Sequence, residues 1–270
     1  MEPITEEIII VYYIYINPNK NWKSIIGGQL EDLKNVQILD YAKVFCVICT
    51  PNNELFEECN LLINQICQGK SINSHVTVNN FEYPGIKKLH ELGSFYPDKL
   101  FLYMHSKGMV FHGTPGRTRV EHFLLINTIK YWKYILNIFK NYNFIDKAGV
   151  FPDHTGIIWY NFFWIRGSFL KELEPPIITD NRHYYEHNYI INKNSQNNCF
   201  SLLSYELSRF SCENACVIVK DLILHKLNFS NYFNWKKYLL KYPDLKILKN
   251  KKKLYNHFIT NGINENRNLI

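Results

Sequence analysis

The chain has 270 residues, of which 46% are hydrophobic and 20% charged, so it can fill a sizeable core and is not a disordered polypeptide. Its net charge of +7 suggests an anionic partner, but much of the excess sits in KILKNKKK at residues 246–253, which argues against a broad nucleic-acid footprint. Seven cysteines without paired C-x2-C spacing argue against structural zinc, and no signal peptide or bilayer-length apolar run opens the chain, so a cytoplasmic setting is expected.

Residues 7–16 (EIIIVYYIYI) form a continuous apolar run rich in β-branched and aromatic side chains, which predicts an interior strand covered on both faces. Asn17-Pro18-Asn19 ends it, and Trp22, Ile25, Ile26, Leu30 and Leu33 recur at helical spacing. A second strand is expected over residues 42–50, where Cys46 and Cys49 read as reduced core thiols. Pro51-Asn52-Asn53 then leads into a helix that carries Leu55, Phe56, Cys59, Leu62, Ile63 and Ile66 on one side. A short third strand is expected at residues 76–78, followed by a helix after Pro84 and a fourth strand at residues 100–104. This alternation predicts an α/β fold, a doubly wound sheet flanked by helices.

Residues 119–139 predict one long helix, residues 157–173 an aromatic strand and a short helix, and residues 177–198 a polar loop. Another strand is expected at residues 216–220. Beyond it the composition shifts, and two short helices around Pro243-Asp244 predict a small helical appendage. The expected domains are residues 1–227 and 228–270.

The fourth strand ends in FLYMHSKG at residues 101–108, where an apolar run delivers His105, Ser106 and Lys107 and stops at Gly108. The carboxyl ends of strands are where open α/β sheets take ligands, and Lys107 and His105 are placed there to face an anion such as a diphosphate. The pattern is neither a P-loop nor a G-x-G-x-x-G turn. The alternative reading is a strand end whose polar groups are satisfied by water.

Four segments in order, FEYPGIKKLHEL, LYMHSKG, RTRVEHFL and NFFWIRGSFLKEL, resemble a group of GT-A-type glycosyltransferases from large DNA viruses and bacterial polysaccharide clusters, rhamnan-synthesis proteins among them. The tail is similar to a short module that accompanies several such viral enzymes. Two departures stand out. The group's Gly-Asn-Phe-Trp-Trp is Tyr160-Asn161-Phe162-Phe163-Trp164, and its Trp-Arg pair is Thr118-Arg119.

The resemblance implies a GT-A-like mixed sheet and transfer of a sugar from a nucleotide-sugar donor to a glycan or glycoconjugate acceptor, inverting. It places His105, Ser106 and Lys107 at the donor diphosphate, with Arg117 and Arg119 as further phosphate partners. Asn161 and Trp164, with His154, would line the acceptor side. Glu186 falls where the group carries a glutamate and is the expected base, with Asp153 as its alternative. No D-x-D occurs in the chain, so lysine charge is expected to replace the divalent ion, Mn²⁺ or Mg²⁺, that such a motif holds. No metal ligands, transmembrane segment or nucleic-acid partner are expected, and the tail is a candidate docking module for partner glycosylation enzymes. The alternative function is a non-catalytic carbohydrate-binding or scaffold protein that retains the fold.

Overall fold

The computed structural model describes residues 5–107, 109, 117–153, 155–191, 198–203, 215–216, 236, 239–240, 242–248, 250, 253–254 and 257, with the side chains of Arg119, Glu186 and His187 outside that set. In chain order the elements are β1 (Ile8–Tyr15), α1 (Trp22–Asn35), β2 (Ala42–Cys49), α2 (Asn53–Cys67), β3 (Ser71–Val76), α3 (Tyr83–Phe95) and β4 (Leu100–His105). There follow α4 (Arg119–Ile129), α5 (Trp132–Asn141), β5 (Lys147–Gly149), β6 (Phe163–Arg166), α6 (Gly167–Glu172) and β7 (Cys199–Ser201). The strands form one seven-stranded mixed sheet in the order β3-β2-β1-β4-β6-β5-β7. β1 to β4 are parallel, β6 is antiparallel to both β4 and β5, and β7 is parallel to β5.

Strand periodicity divides the core. Ile8, Ile10, Tyr12 and Ile14 of β1 pack with α1, α2, α4 and α5, while Ile9, Val11 and Tyr13 pack with α3 and α6. Burial on both faces is why β1 needs an unbroken apolar run, and each such side chain contributes about 1.5–3 kcal/mol. The helix starts are locally encoded. Asn21, Asn52 and Thr118 cap α1, α2 and α4 by accepting from backbone N–H groups of the first turn.

The chain winds from β1 outward to β2 and β3, then crosses to β4 on the other side of β1. The carboxyl ends of β1 and β4 therefore flank a topological switch point, where ligand crevices form in such sheets.

The expected α/β architecture is the observed one, with local differences. β3 begins five residues before the expected strand, at Ser71 instead of Val76. Its sequence SINSHV is a half-exposed edge that pairs with β2 through backbone, so it carries little apolar signal. The long helix expected over residues 119–139 is two helices, broken at Tyr131 (φ −113°, ψ 36°), which lets Trp132 bury and donate from Nε1 to the Val36 carbonyl at 2.8 Å. β5 and β7 are three residues each, too short for a periodic signal. The polar loop contains a π-helical turn, Tyr184–Asn188. Ala215 and Cys216 are helical, so no strand starts at Cys216, and residues 217–220 lie outside the described set. In the tail, Pro243–Leu248 is a 3-10 helix, and the expected boundary near residue 227 also lies outside the described residues. Among the described residues no helix is long and apolar enough to cross a membrane.

Candidate functional site

His105, Ser106 and Lys107 emerge at the switch point. Ser106 prolongs the β1–β4 pairing, its N–H donating to the Tyr13 carbonyl at 2.9 Å. Its buried hydroxyl accepts from the Tyr15 N–H at 2.8 Å and donates to the Tyr15 carbonyl at 3.1 Å, so it clasps two strand ends together. Asn17 Nδ2 donates to the Met109 carbonyl at 3.0 Å, which joins the segments that follow β1 and β4. Lys107 Nζ lies 4.9 Å from the centroid of the Tyr160 ring. Gly108 lies outside the described residues.

His105 is held from two sides. Its Nδ1 faces Glu82 Oε1 at 3.4 Å, and its Nε2 is 3.2 Å from the Tyr160 carbonyl. Glu82, the residue before α3, gathers further donors on Oε2, from the Tyr103 hydroxyl at 3.0 Å and from Asn161 Nδ2 at 3.0 Å. Burial, with the Glu82 charge next, pushes the Tyr103 phenol well above its ordinary value, so it stays a donor to that carboxylate. Asn161 Nδ2 also donates to the Tyr185 carbonyl at 3.1 Å. Its Oδ1 is buried without a hydrogen-bond partner. Tyr160 and Asn161 both hold left-handed backbone, at φ +72° and +53°.

Arg117 is engaged elsewhere. Its Nε donates to Glu121 Oε2 at 2.7 Å and one terminal nitrogen to the Gly28 carbonyl at 2.8 Å, while the other pairs with Asp32. The guanidinium thereby ties α4 to α1. Gly28 makes room for it, because a Cβ there would lie 2.8 Å from Arg117 Cδ. Beneath it, fully buried Glu121 accepts from Gln29 Nε2 at 2.9 Å, and Gln29 in turn accepts from the Tyr12 hydroxyl. Burial raises the Glu121 carboxyl from its ordinary value, an effect the Arg117 hydrogen bond and charge partly oppose. For Arg117, burial acts to lower the guanidinium, but the Asp32 and Glu121 interactions outweigh it and the net shift is upward.

The remaining expected site residues scatter. Trp164 is core, fully buried with Nε1 donating to the Thr128 carbonyl at 2.7 Å. Asp153 Oδ1 accepts from the N–H groups of Thr155, Gly156 and Ile157 and from the Thr155 hydroxyl, at 2.6–3.1 Å, which organises its own loop. His154 lies outside the described residues, as do the side chains of Glu186, whose backbone belongs to the π-helical turn, and Arg119. The structure thus brings together His105, Lys107 and Asn161, and adds Glu82 and Tyr160. Glu82 lies in the FEYPG segment, and a buried acid before a helix has no periodic signature. For Tyr160 the available signal was its place where the similar group carries glycine.

Among the described residues no cluster of three or more His, Cys, Asp or Glu side chains is placed to hold a metal ion. At the end of β4 the groups are an ammonium, a hydroxyl bonded to backbone and an imidazole held between two oxygens, a set that does not fit a hard divalent cation. No protein-family model matches the chain, and no curated protein is found similar to it.

Proposed function

We propose that this chain is a nucleotide-sugar-dependent glycosyltransferase acting on a glycan or glycoconjugate in the cytoplasm, with inversion and without a metal. The observation that carries the reading is the position of Lys107 on the carboxyl edge at the β1–β4 switch point. The acceptor hydroxyl gives its proton to a carboxylate and its oxygen attacks the anomeric carbon. The bond from that carbon to the donor phosphate breaks, and the charge on the departing diphosphate is stabilised by the lysine. Glu186 is the base in this reading, because Asp153 spends one carboxylate oxygen on its own loop. Residues 228–270 would dock partner enzymes.

A second reading, a non-catalytic carbohydrate-binding or scaffold protein, draws support from a specific observation. Ser106, Arg117 and Trp164 direct their polar atoms into internal hydrogen bonds. Calorimetric titration with UDP-, GDP-, dTDP- and CMP-sugars, in EDTA and then with Mn²⁺, separates the readings. Binding in EDTA followed by sugar transfer supports the metal-free enzyme, and binding only with Mn²⁺ refutes the lysine account. Failure of every donor to bind favours the non-catalytic protein.

A further inference from the structure

Two aromatic residues and an asparagine hold left-handed backbone around one carboxylate. Phe81 (φ +52°) immediately precedes Glu82, Tyr160 (φ +72°) offers its carbonyl to the His105 that faces Glu82, and Asn161 (φ +53°) donates to Glu82 itself. Among the described residues the other non-glycine positions with positive φ are Gln37 and Gln68, which follow α1 and α2, where a left-handed residue is ordinary helix punctuation. An aromatic residue with positive φ is an outlier, and such strain persists only where the surroundings over-determine it.

Here the surroundings are the bonds that converge on Glu82, and what they fix is the Tyr160 ring, half-buried against Phe151 and lying beneath the Lys107 ammonium. The turn leaves the buried Asn161 Oδ1 without a partner even though its Nδ2 serves Glu82 and the Tyr185 carbonyl, so core hydrogen bonding alone does not account for it. A lysine held in advance loses less rotamer freedom when an anion arrives.

We infer that Glu82 is a positioning residue that, through His105 and Asn161, holds the Tyr160 ring as the platform fixing Lys107 toward an anionic ligand. This rests on the reading of Lys107 as the cation that faces a diphosphate.

The test is titration of inorganic pyrophosphate and UDP in EDTA into the full chain and its variants, with thermal unfolding measured alongside. Tyr160→Gly, which suits the left-handed backbone, also removes the ring's packing against Phe151 and so lowers the unfolding temperature; at a temperature where the variant is still folded it weakens binding about three- to tenfold. Tyr160→Phe, which keeps the π face, recovers the affinity that Tyr160→Gly loses, and Glu82→Gln weakens binding by a similar factor. In a Lys107→Ala background neither Tyr160→Gly nor Glu82→Gln weakens binding further, because both act through the same ammonium. If wild type binds and Lys107→Ala does not, yet Tyr160→Gly or Glu82→Gln retains full affinity, the inference fails while the diphosphate reading stands. Effects that multiply with Lys107→Ala also overturn it. A wild-type chain that binds neither probe removes the diphosphate reading, and this inference with it.

Discussion

Two buried carboxylates lie near the same sheet edge, on opposite faces of the sheet. Glu121, on the α1/α4 face, is fully buried among an arginine, a glutamine and a capped helix start, none of them at positive φ. Glu82, on the α3 face, is nearly as buried, yet it is ringed by left-handed aromatic and amide residues and by an asparagine oxygen without a partner. On the proposed reading, the difference separates a latch from a site. A satisfied network in relaxed backbone completes a fold, whereas a strained, incompletely satisfied one is kept for what it presents.

The comparison can be broken first at Arg117. Arg117→Ala leaves Asp32 and Glu121 without their cation and lowers unfolding free energy by about 3–5 kcal/mol, as measured in denaturant. Lys107→Ala does the reverse. It costs less stability than Arg117→Ala, and on the proposed reading sugar-transfer turnover falls by about 10²–10³, as read in a donor-hydrolysis or transfer assay. A loss of stability with no loss of turnover would exchange the roles assigned to the two faces.

Smaller effects sharpen the same contrast. Gly28→Ala is expected to lose about 1–3 kcal/mol by crowding the Arg117 latch, while Gly27→Ala gains up to about 1 kcal/mol, since its Cβ would meet only Leu62 Cδ2 at 4.0 Å. Smallest is a pH effect on the α3 side. Burial lowers His90 from its ordinary value of 6.5, against the charges of Glu91 and Glu174, and its Nδ1 is 3.0 Å from the Tyr189 hydroxyl. The folded chain therefore favours the neutral ring. That contribution is full above 6.5 and is lost as pH falls through the lowered value, so a His90→Gln variant shows a flatter decline in stability on acidification, measured by denaturant unfolding at successive pH values.

Much of the fold was legible in the sequence because burial on both faces writes itself as unbroken apolar runs, as in residues 8–15 and 100–105. β3, β5 and β7 were not, since an edge strand such as SINSHV and three-residue strands such as Lys147–Gly149 are specified by their neighbours' backbone. The same limit governs the site. Lys107 was legible because a lysine that ends an apolar strand is conspicuous. Arg117 looked equally apt for a phosphate, and only the positions of Asp32 and Glu121, one of them 85 residues distant, reveal its engagement. Tyr160 and Glu82 acquire meaning from backbone angles and from contacts 79 residues apart in sequence, between Glu82 and Asn161, which no local pattern encodes.

The cysteines carry a practical consequence. Burial raises the thiols of Cys46, Cys49, Cys59 and Cys67 above their ordinary value, to about 12 for Cys59 and about 11 for Cys67, so as thiolates they are scarce at neutral pH and shielded from reagents. Cys216 is exposed, and its Sγ lies 3.9 Å from the Tyr160 hydroxyl. Among the described cysteines Cys216 is the exposed one, so a maleimide fluorophore attached there sits beside Tyr160 and gives an optical reporter of whatever arrives at Lys107.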